Sequence, residues 1–148
     1  MQDILLIESN IRDAHVALQS FKAKGLVNDV RVAGDGPEAL DFLLSRNALE
    51  RRGEAQPVLI LLNLSLPLIG GLEVLRIIKS DPRAKRIPVV VLTSSVSDLD
   101  IQCAIRFRAD AFIEKPLTFQ KLLVTAGQLG VPLSHQSVGL SAGDRLAR

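Results

Sequence analysis

The stretch Pro57-Val58-Leu59-Ile60-Leu61-Leu62-Asn63 decides how this chain folds. Its apolar run, from Val58 to Leu62, is too short for a helix and is typical of a strand that is buried on both faces. Strands of that kind occur in parallel sheets that carry helices on both sides. Asn63 follows at the polar end of the run, and ligands bind beyond the carboxyl ends of such strands. We therefore expect Asn63 to lie at the functional edge of a parallel sheet.

Four other short apolar runs predict the remaining strands, at residues 4–7, 30–33, 87–93 and 111–114. Each strand is followed by apolar residues at helical spacing. Local signals also predict where helices begin and end, as with Asn10 and Asp35 at helix starts and Gly25 at a helix end. Five strands that each precede a helix predict a doubly wound α/β fold with helices on both faces.

Composition limits the class of protein. The chain has 148 residues, of which 47% are hydrophobic, and this is enough material for one domain. Its net charge of +2 is spread over the chain, and Trp and Tyr are absent, so we expect no nucleic-acid partner. No apolar stretch reaches the length of about 18 residues that a membrane span needs, and one cysteine, Cys103, suits a reducing compartment. These features favour a cytoplasmic protein with no membrane partner.

The end of the chain differs in composition from the rest. Residues 132–148 are rich in Ser, Gly and charge and lack a periodic apolar stripe, so they are predicted to form a tail that is mobile or bound to a partner. The folded domain is predicted to span residues 1–131. A charged loop at residues 47–56 is interpreted as a solvated connection.

Polar residues follow four of the predicted strands: Glu8 and Ser9, then Asn63, then Thr93, and finally Lys115. Parallel strands end at one edge, so these side chains should converge on one crevice. With these residues in place, the chain resembles the receiver domain of two-component response regulators over residues 3 to about 129. The resemblance rests on residues 4–8, 35–40, 57–71, 89–95 and 109–116. It implies a flavodoxin-like (βα)5 fold with strand order 2-1-3-4-5.

A weaker resemblance connects the chain to stand-alone regulators that are paired with phytochrome-type histidine kinases. It rests on the loop at residues 47–56 and on the linkage at residues 79–88. In receivers, the third strand ends in an aspartate that takes a phosphoryl group from a kinase histidine, with the help of a divalent metal. The resemblance implies roles for individual residues: Thr93 and Lys115 hold the phosphoryl group, Thr93 and Phe112 act as switch residues, and Glu8 and the Ser65 carbonyl are metal ligands.

Two positions depart from the receiver pattern. Asn63 stands at the phosphoacceptor position, and Ser9 stands where a second acid is expected. A neutral amide is a poor nucleophile, and a metal site of Glu8, Ser9, Asn63 and Ser65 keeps one carboxylate, so no Mg²⁺ cofactor is expected. We expect Asn63 instead to accept a hydrogen bond from Lys115 and to donate one to Thr93. A third departure is Arg108, where the family usually has glycine.

The sequence therefore predicts a pseudo-receiver that acts through protein-protein contact and has no enzyme activity. The expected partners are a sensor histidine kinase of the phytochrome type and a second copy of the chain. The homodimer would form through the fourth helix, the fifth strand and the fifth helix, with contacts from Ile101, Ile105, Phe107, Phe112 and Leu122.

The alternative is a phosphorylation-competent, Mg²⁺-dependent receiver whose acceptor aspartate was deliberately replaced by Asn63. Ser9 argues against it, because a single designed substitution would leave the second acid in place. An unrelated flavodoxin-like binding protein or a hydrolase would need a glycine-rich phosphate loop or a nucleophile with its histidine, and the sequence has neither.

Overall fold

The computed structural model describes residues 3–45, 56–94 and 98–136. Within them the chain forms one five-stranded sheet with the order β2-β1-β3-β4-β5, and all four pairings are parallel. The strands are β1 (Ile4–Ile7), β2 (Val30–Ala33), β3 (Leu59–Asn63), β4 (Val89–Thr93) and β5 (Ala111–Glu114). The predicted fold class and strand order are confirmed. Most of the predicted loop at residues 47–56 lies outside the described residues.

Five helices are described between and after these strands: α1 (Ile11–Ala23), α2 (Gly36–Leu44), α3 (Gly71–Ser80), α4 (Asp98–Arg106) and α5 (Phe119–Gln128). The predicted helix starts are present, since Asn10 Oδ1 accepts a hydrogen bond from Asp13 N at 3.0 Å and Asp35 Oδ1 accepts one from Glu38 N at 2.8 Å. None of the described helices is long and apolar enough to cross a membrane.

Successive residues of each central strand point to opposite faces, and each face has its own apolar core. Leu6 and Leu61 belong to a cluster with residues of α1 and α5, whereas Leu5 and Leu62 belong to a cluster with residues of α2, α3 and α4. Residues 59–63 are buried throughout, as the apolar run predicts. Because helices cover both faces, polar groups gather at the two ends of the strands, which we call the carboxyl edge and the amino edge of the sheet.

The predicted dimer contacts need one correction. Leu122 is fully buried in the core between α5 and the sheet, so it cannot belong to a surface for a second copy. The helical period turns Leu122 inward and leaves Val124 half exposed on the same helix. Ile105 is exposed, whereas Phe107 and Phe112 are partly buried against the core of the opposite face.

The segment after α5 is bonded to the turn between α1 and β2. His135 forms an antiparallel bridge with Leu26, Val27 N donates to Ser134 O at 2.7 Å, and Gln136 N donates to Gly25 O at 2.8 Å. The predicted mobile tail starts at residue 132, but the chain is tied down as far as Gln136. The rest of that predicted tail, residues 137–148, lies outside the described residues.

Candidate functional site

The carboxyl edge of the sheet brings together the residues that follow β1, β3, β4 and β5. The loop after β3 folds tightly against the strand end, and Gly71 N donates to Leu64 O at 3.0 Å. A Cβ atom at Gly71 would lie 2.4 Å from Leu64 Cα and 2.6 Å from Asn63 O. Only glycine allows the backbones to approach this closely, and the approach holds Asn63 and Ser65 in place.

Glu8 is the centre of the polar network at this edge. It is 4% exposed. Its Oε2 atom accepts hydrogen bonds from Asn63 Nδ2 at 2.6 Å and from Asn10 N at 3.1 Å. Its Oε1 atom lies 2.7 Å from Lys115 Nζ. Both oxygens of this buried carboxylate are thus satisfied by donors from the protein itself, as a buried charge requires.

Lys115 is held between two carboxylates. Its Nζ atom contacts Glu8 on one side and donates to Asp13 Oδ2 at 2.9 Å on the other. Burial disfavours the charged ammonium, but the hydrogen bonds and negative charges of Glu8 and Asp13 outweigh that penalty and raise the pKa of Lys115 above the ordinary lysine value. Lys115 is therefore a fixed positive charge at neutral pH.

Asn63 joins Glu8 to the loop that follows β3. Besides its bond to Glu8, Asn63 Nδ2 donates to Ser65 O at 3.2 Å, and Asn63 Oδ1 accepts from Ser65 N at 3.2 Å. Ser9 Oγ donates to the same Ser65 carbonyl at 3.4 Å. Four of the sequence-predicted site residues therefore form one connected set: Glu8, Ser9, Asn63 and Ser65.

The expected partners of Asn63 differ from those in the structure. We expected Asn63 to accept from Lys115 and to donate to Thr93, but the amide donates to Glu8 and Ser65, and Lys115 binds Glu8 and Asp13. The reason is electrostatic, because the negative carboxylate of Glu8 is a stronger acceptor for both donors than a neutral oxygen is.

Thr93 and Phe112 lie on the neighbouring strands. Thr93 is buried at the end of β4, its carbonyl accepts from Lys115 N at 2.8 Å, and it lines with Asn63 a cavity of about 350 Å³. Phe112 is partly buried on β5, opposite Val91 of β4. Thr93 is thus brought to the site around Asn63, while Phe112 lies on β5, the outer strand next to β4.

Sequence reasoning missed Asp13. This acid lies in the first turn of α1, five residues after Glu8, and the same turn is capped by Asn10. A carboxylate in the first turn of the helix that follows β1 was the available signal, because that turn lies at the same edge as the strand ends. Asp13 completes the pair of acids around Lys115.

The receiver resemblance implies a divalent cation at this edge, and the donor set does not suit one. Glu8 is the carboxylate that Asn63 contacts, and hydrogen-bond donors of Lys115, Asn63 and Asn10 occupy its oxygens. Within residues 3–45, 56–94 and 98–136, no group of three His, Cys, Asp or Glu side chains is placed to hold a metal ion. Divalent cations such as Mg²⁺ bind through several oxygen ligands, carboxylates above all.

Residues 4–126 match the model of the response regulator receiver domain. The chain is 37% identical over 126 residues to the probable methanogenesis regulatory protein FilR2 of Methanothrix harundinacea, covering 85% of this chain and 79% of FilR2. It resembles the structure of the bacteriophytochrome response regulator AtBRR with a TM-score of 0.81 and 37% identity, over 92% of this chain and 97% of the other. The Mn²⁺-bound form of response regulator Rcp1 gives a TM-score of 0.71 at 30% identity, over 95% of this chain and 100% of the other. The chain therefore belongs to the response regulator receiver family, whose members act in two-component signalling, and phytochrome response regulators are among its relatives.

Proposed function

We propose that this receiver passes on its signal by protein contact, without accepting a phosphoryl group at Asn63. The observation that carries the proposal is the bond of 2.6 Å from the Asn63 amide to Glu8. The position that would present a nucleophilic carboxylate in a phosphorylated receiver here presents an N–H donor, which binds the carboxylate of Glu8. The amide is uncharged and the lone pair of its nitrogen is delocalised, so it is a poor nucleophile toward phosphorus.

The oxygen of the same amide is also engaged. Asn63 Oδ1 accepts from Ser65 N, so the side chain is held at both ends by Glu8 and the β3–α3 loop. Phosphoryl transfer depends on a positioned nucleophile and on charge neutralisation around the transferring group. This chain supplies the hydroxyl of Thr93 and the ammonium of Lys115 but lacks the anionic nucleophile.

We infer that the ammonium of Lys115 takes over the structural role of a cation at this edge. Rcp1 has been solved in an Mn²⁺-bound form. In this chain a divalent cation would have to displace Lys115 and the Asn63 amide from Glu8 before it gained a carboxylate ligand. That exchange is unfavourable, because Lys115 would then keep only Asp13 as an acidic partner among the residues that the structure describes.

The expected partner is a sensor histidine kinase, the partner class of receiver domains, and the relationship to AtBRR favours a phytochrome-type kinase. The proposed homodimer through α4, β5 and α5 keeps the exposed Ile105 and loses the buried Leu122 as a contact. Val124 is exposed on α5 and extends that surface.

The test is treatment with acetyl phosphate and Mg²⁺, followed by intact mass measurement of the wild-type chain and of two variants, Asn63→Asp and Ser9→Asp/Asn63→Asp. We expect no phosphoryl adduct on the wild type and an adduct on the double variant, which serves as the positive control. An adduct on the wild-type chain would contradict the proposal. Full phosphorylation of the single Asn63→Asp variant would favour the alternative of a competent receiver with a replaced acceptor.

A further inference from the structure

A second polar cavity lies at the opposite, amino edge of the sheet, between the ends of α3 and α4. Its volume is about 350 Å³, and five basic side chains line it: Arg76, Lys79, Lys85, Arg106 and Arg108. These residues lie at the ends of α3 and α4 and in the turns before β4 and β5, whereas the site around Asn63 lies beyond the other ends of the strands. The receiver chemistry at the carboxyl edge makes no use of this cavity.

Two of the five cations are neutralised by acids. Lys79 Nζ donates to Asp110 Oδ2 at 2.7 Å, and Arg76 forms an ion pair with Glu73. Lys85, Arg106 and Arg108 are exposed, and none of them has an acidic partner in the part of the chain that the structure describes. The ends of α3 and α4 each contribute about half a negative charge, so the cavity keeps a net charge of about +2.

Arg108 is also unusual in its backbone. Three helices end with the same pair of backbone hydrogen bonds. The N–H of one residue donates to the carbonyl three positions before it, and the N–H of the next residue donates to the carbonyl five positions before it. At α1 and α5 that residue is Gly25, with φ +82°, and Gly130, with φ +71°. At α4 it is Arg108, with φ +72°, a conformation in which a side chain is strained. The backbone conformation alone favours glycine at this position, so the presence of an arginine suggests a role for its guanidinium group.

We propose that this cavity binds a small anion with two linked phosphate groups, through Lys85, Arg106 and Arg108. Its volume is that of a small-molecule site. Two guanidinium groups can each bind phosphate oxygens with a pair of parallel hydrogen bonds, and the lysine adds a third positive charge. The ligand is inorganic diphosphate or the diphosphate group of a nucleotide. The proposal is independent of the function proposed for the carboxyl edge.

Calorimetric titration of the full chain with inorganic pyrophosphate and, separately, with ADP tests this site, both without divalent metal. Equal affinities identify inorganic diphosphate as sufficient, and tighter binding of ADP identifies a nucleotide. Lys85→Gln and Arg108→Gly are each expected to weaken binding by about tenfold, since each removes a charge-assisted hydrogen bond. The matched control is Arg86→Gln, which removes an exposed cation next to Lys85 that does not line the cavity, and it should leave the affinity unchanged.

The Arg108→Gly variant distinguishes loss of a ligand contact from loss of folding stability. Glycine suits the backbone of this position, so the variant should melt at the same temperature as the wild type or higher while it binds more weakly. Absence of binding of both ligands to the wild type would overturn the proposal. An equal loss of affinity in Arg86→Gln would also overturn it, because it would indicate diffuse electrostatic attraction. A loss of affinity seen only in Lys115→Met would overturn it as well, because it would place the phosphate at the carboxyl edge.

Discussion

At the carboxyl edge of the sheet Lys115 is enclosed by Glu8 and Asp13, whereas at the amino edge Lys85 and Arg108 border a cavity without acidic partners among the described residues. Both edges are built from strand ends and helix ends of the same sheet. The difference shows that the receiver fold can neutralise charge internally at one edge and keep it available at the other. An edge whose charges are already paired gains little from a ligand, while an edge with unpaired cations gains much.

The largest expected effect comes from breaking the close backbone approach that supports the carboxyl edge. Gly71→Ala would place Cβ 2.4 Å from Leu64 Cα, so the loop after β3 must move, and we expect this shift to weaken the hydrogen bonds between Asn63 and Ser65. We expect the free energy of unfolding in urea to fall by about 3 kcal/mol or more. The matched control is Gly70→Ala, where no atom lies within 4 Å of the added Cβ, and it should cost about 1 kcal/mol or less. Similar losses in both variants would contradict the close-approach argument.

A smaller loss of stability is expected when Lys79, a buried cation at the amino edge, is replaced. Lys79 Nζ donates to Ile87 O at 2.8 Å and to Asp110 Oδ2 at 2.7 Å, so it ties the start of β4 to the turn before β5. Lys79→Met leaves these acceptors without their donor, and we expect unfolding in urea to become easier by about 2 kcal/mol. Asp110 still accepts from Val89 N at 2.8 Å, which limits the loss. Lys85→Met, a change of the same kind at an exposed lysine, should cost less than about 0.5 kcal/mol; equal costs would show that the buried bonds of Lys79 do not stabilise the fold.

The paired state of Lys115 predicts that the stability of the fold depends on pH. Because the carboxylates of Glu8 and Asp13 raise the pKa of Lys115, its charged form stabilises the folded chain, and that contribution is complete below the ordinary lysine pKa of 10.5. It is lost as the pH rises through the higher pKa of the folded state. Urea unfolding of the wild type and of Lys115→Met should therefore differ most below pH 10.5 and converge above it. A difference that stays constant with pH would indicate that packing, and not charge, is the contribution of Lys115.

The smallest expected effect is a gain in stability. Arg108→Gly relieves the left-handed conformation at the end of α4, and we expect the free energy of unfolding to rise by about 1 kcal/mol. Gly25→Ala is the reverse change in the same helix-ending geometry at α1, and it should lower that free energy by about the same amount. A loss of stability in Arg108→Gly would mean that the arginine side chain supports the fold through contacts of its own.

Local patterns were sufficient to predict most of the framework. The caps at Asn10 and Asp35 and the helix end at Gly25 depend on residue types within a few positions of the helix end, so they can be predicted from the sequence. The central run from Val58 to Asn63 predicted a buried strand because its length and composition exclude an exposed element or a long helix. The edge on which Glu8, Asn63, Thr93 and Lys115 meet followed from parallel strand order.

Hydrogen-bond partners could not be predicted in the same way. Asn63 can donate or accept, and its choice of Glu8 depends on a carboxylate 55 residues away. The inward position of Leu122 depends on how α5 is rotated against the sheet, and a helix with apolar residues on two sides does not specify that rotation alone.

The sequence by itself determined the strands, the helix ends with clear capping signals and the neutral amide at position 63, because these depend on residue types and on short-range periodicity; the strand order was implied by the resemblance to receiver domains. Only the tertiary structure decided that Lys115 is shared between Glu8 and Asp13 and that Lys85, Arg106 and Arg108 surround one cavity. The physical reason is that parallel strands need long crossover connections, so residues far apart in the chain become neighbours only when the crossovers pack. Charges brought together in that way are then paired or left unpaired by distances of a few ångströms, which no local pattern encodes.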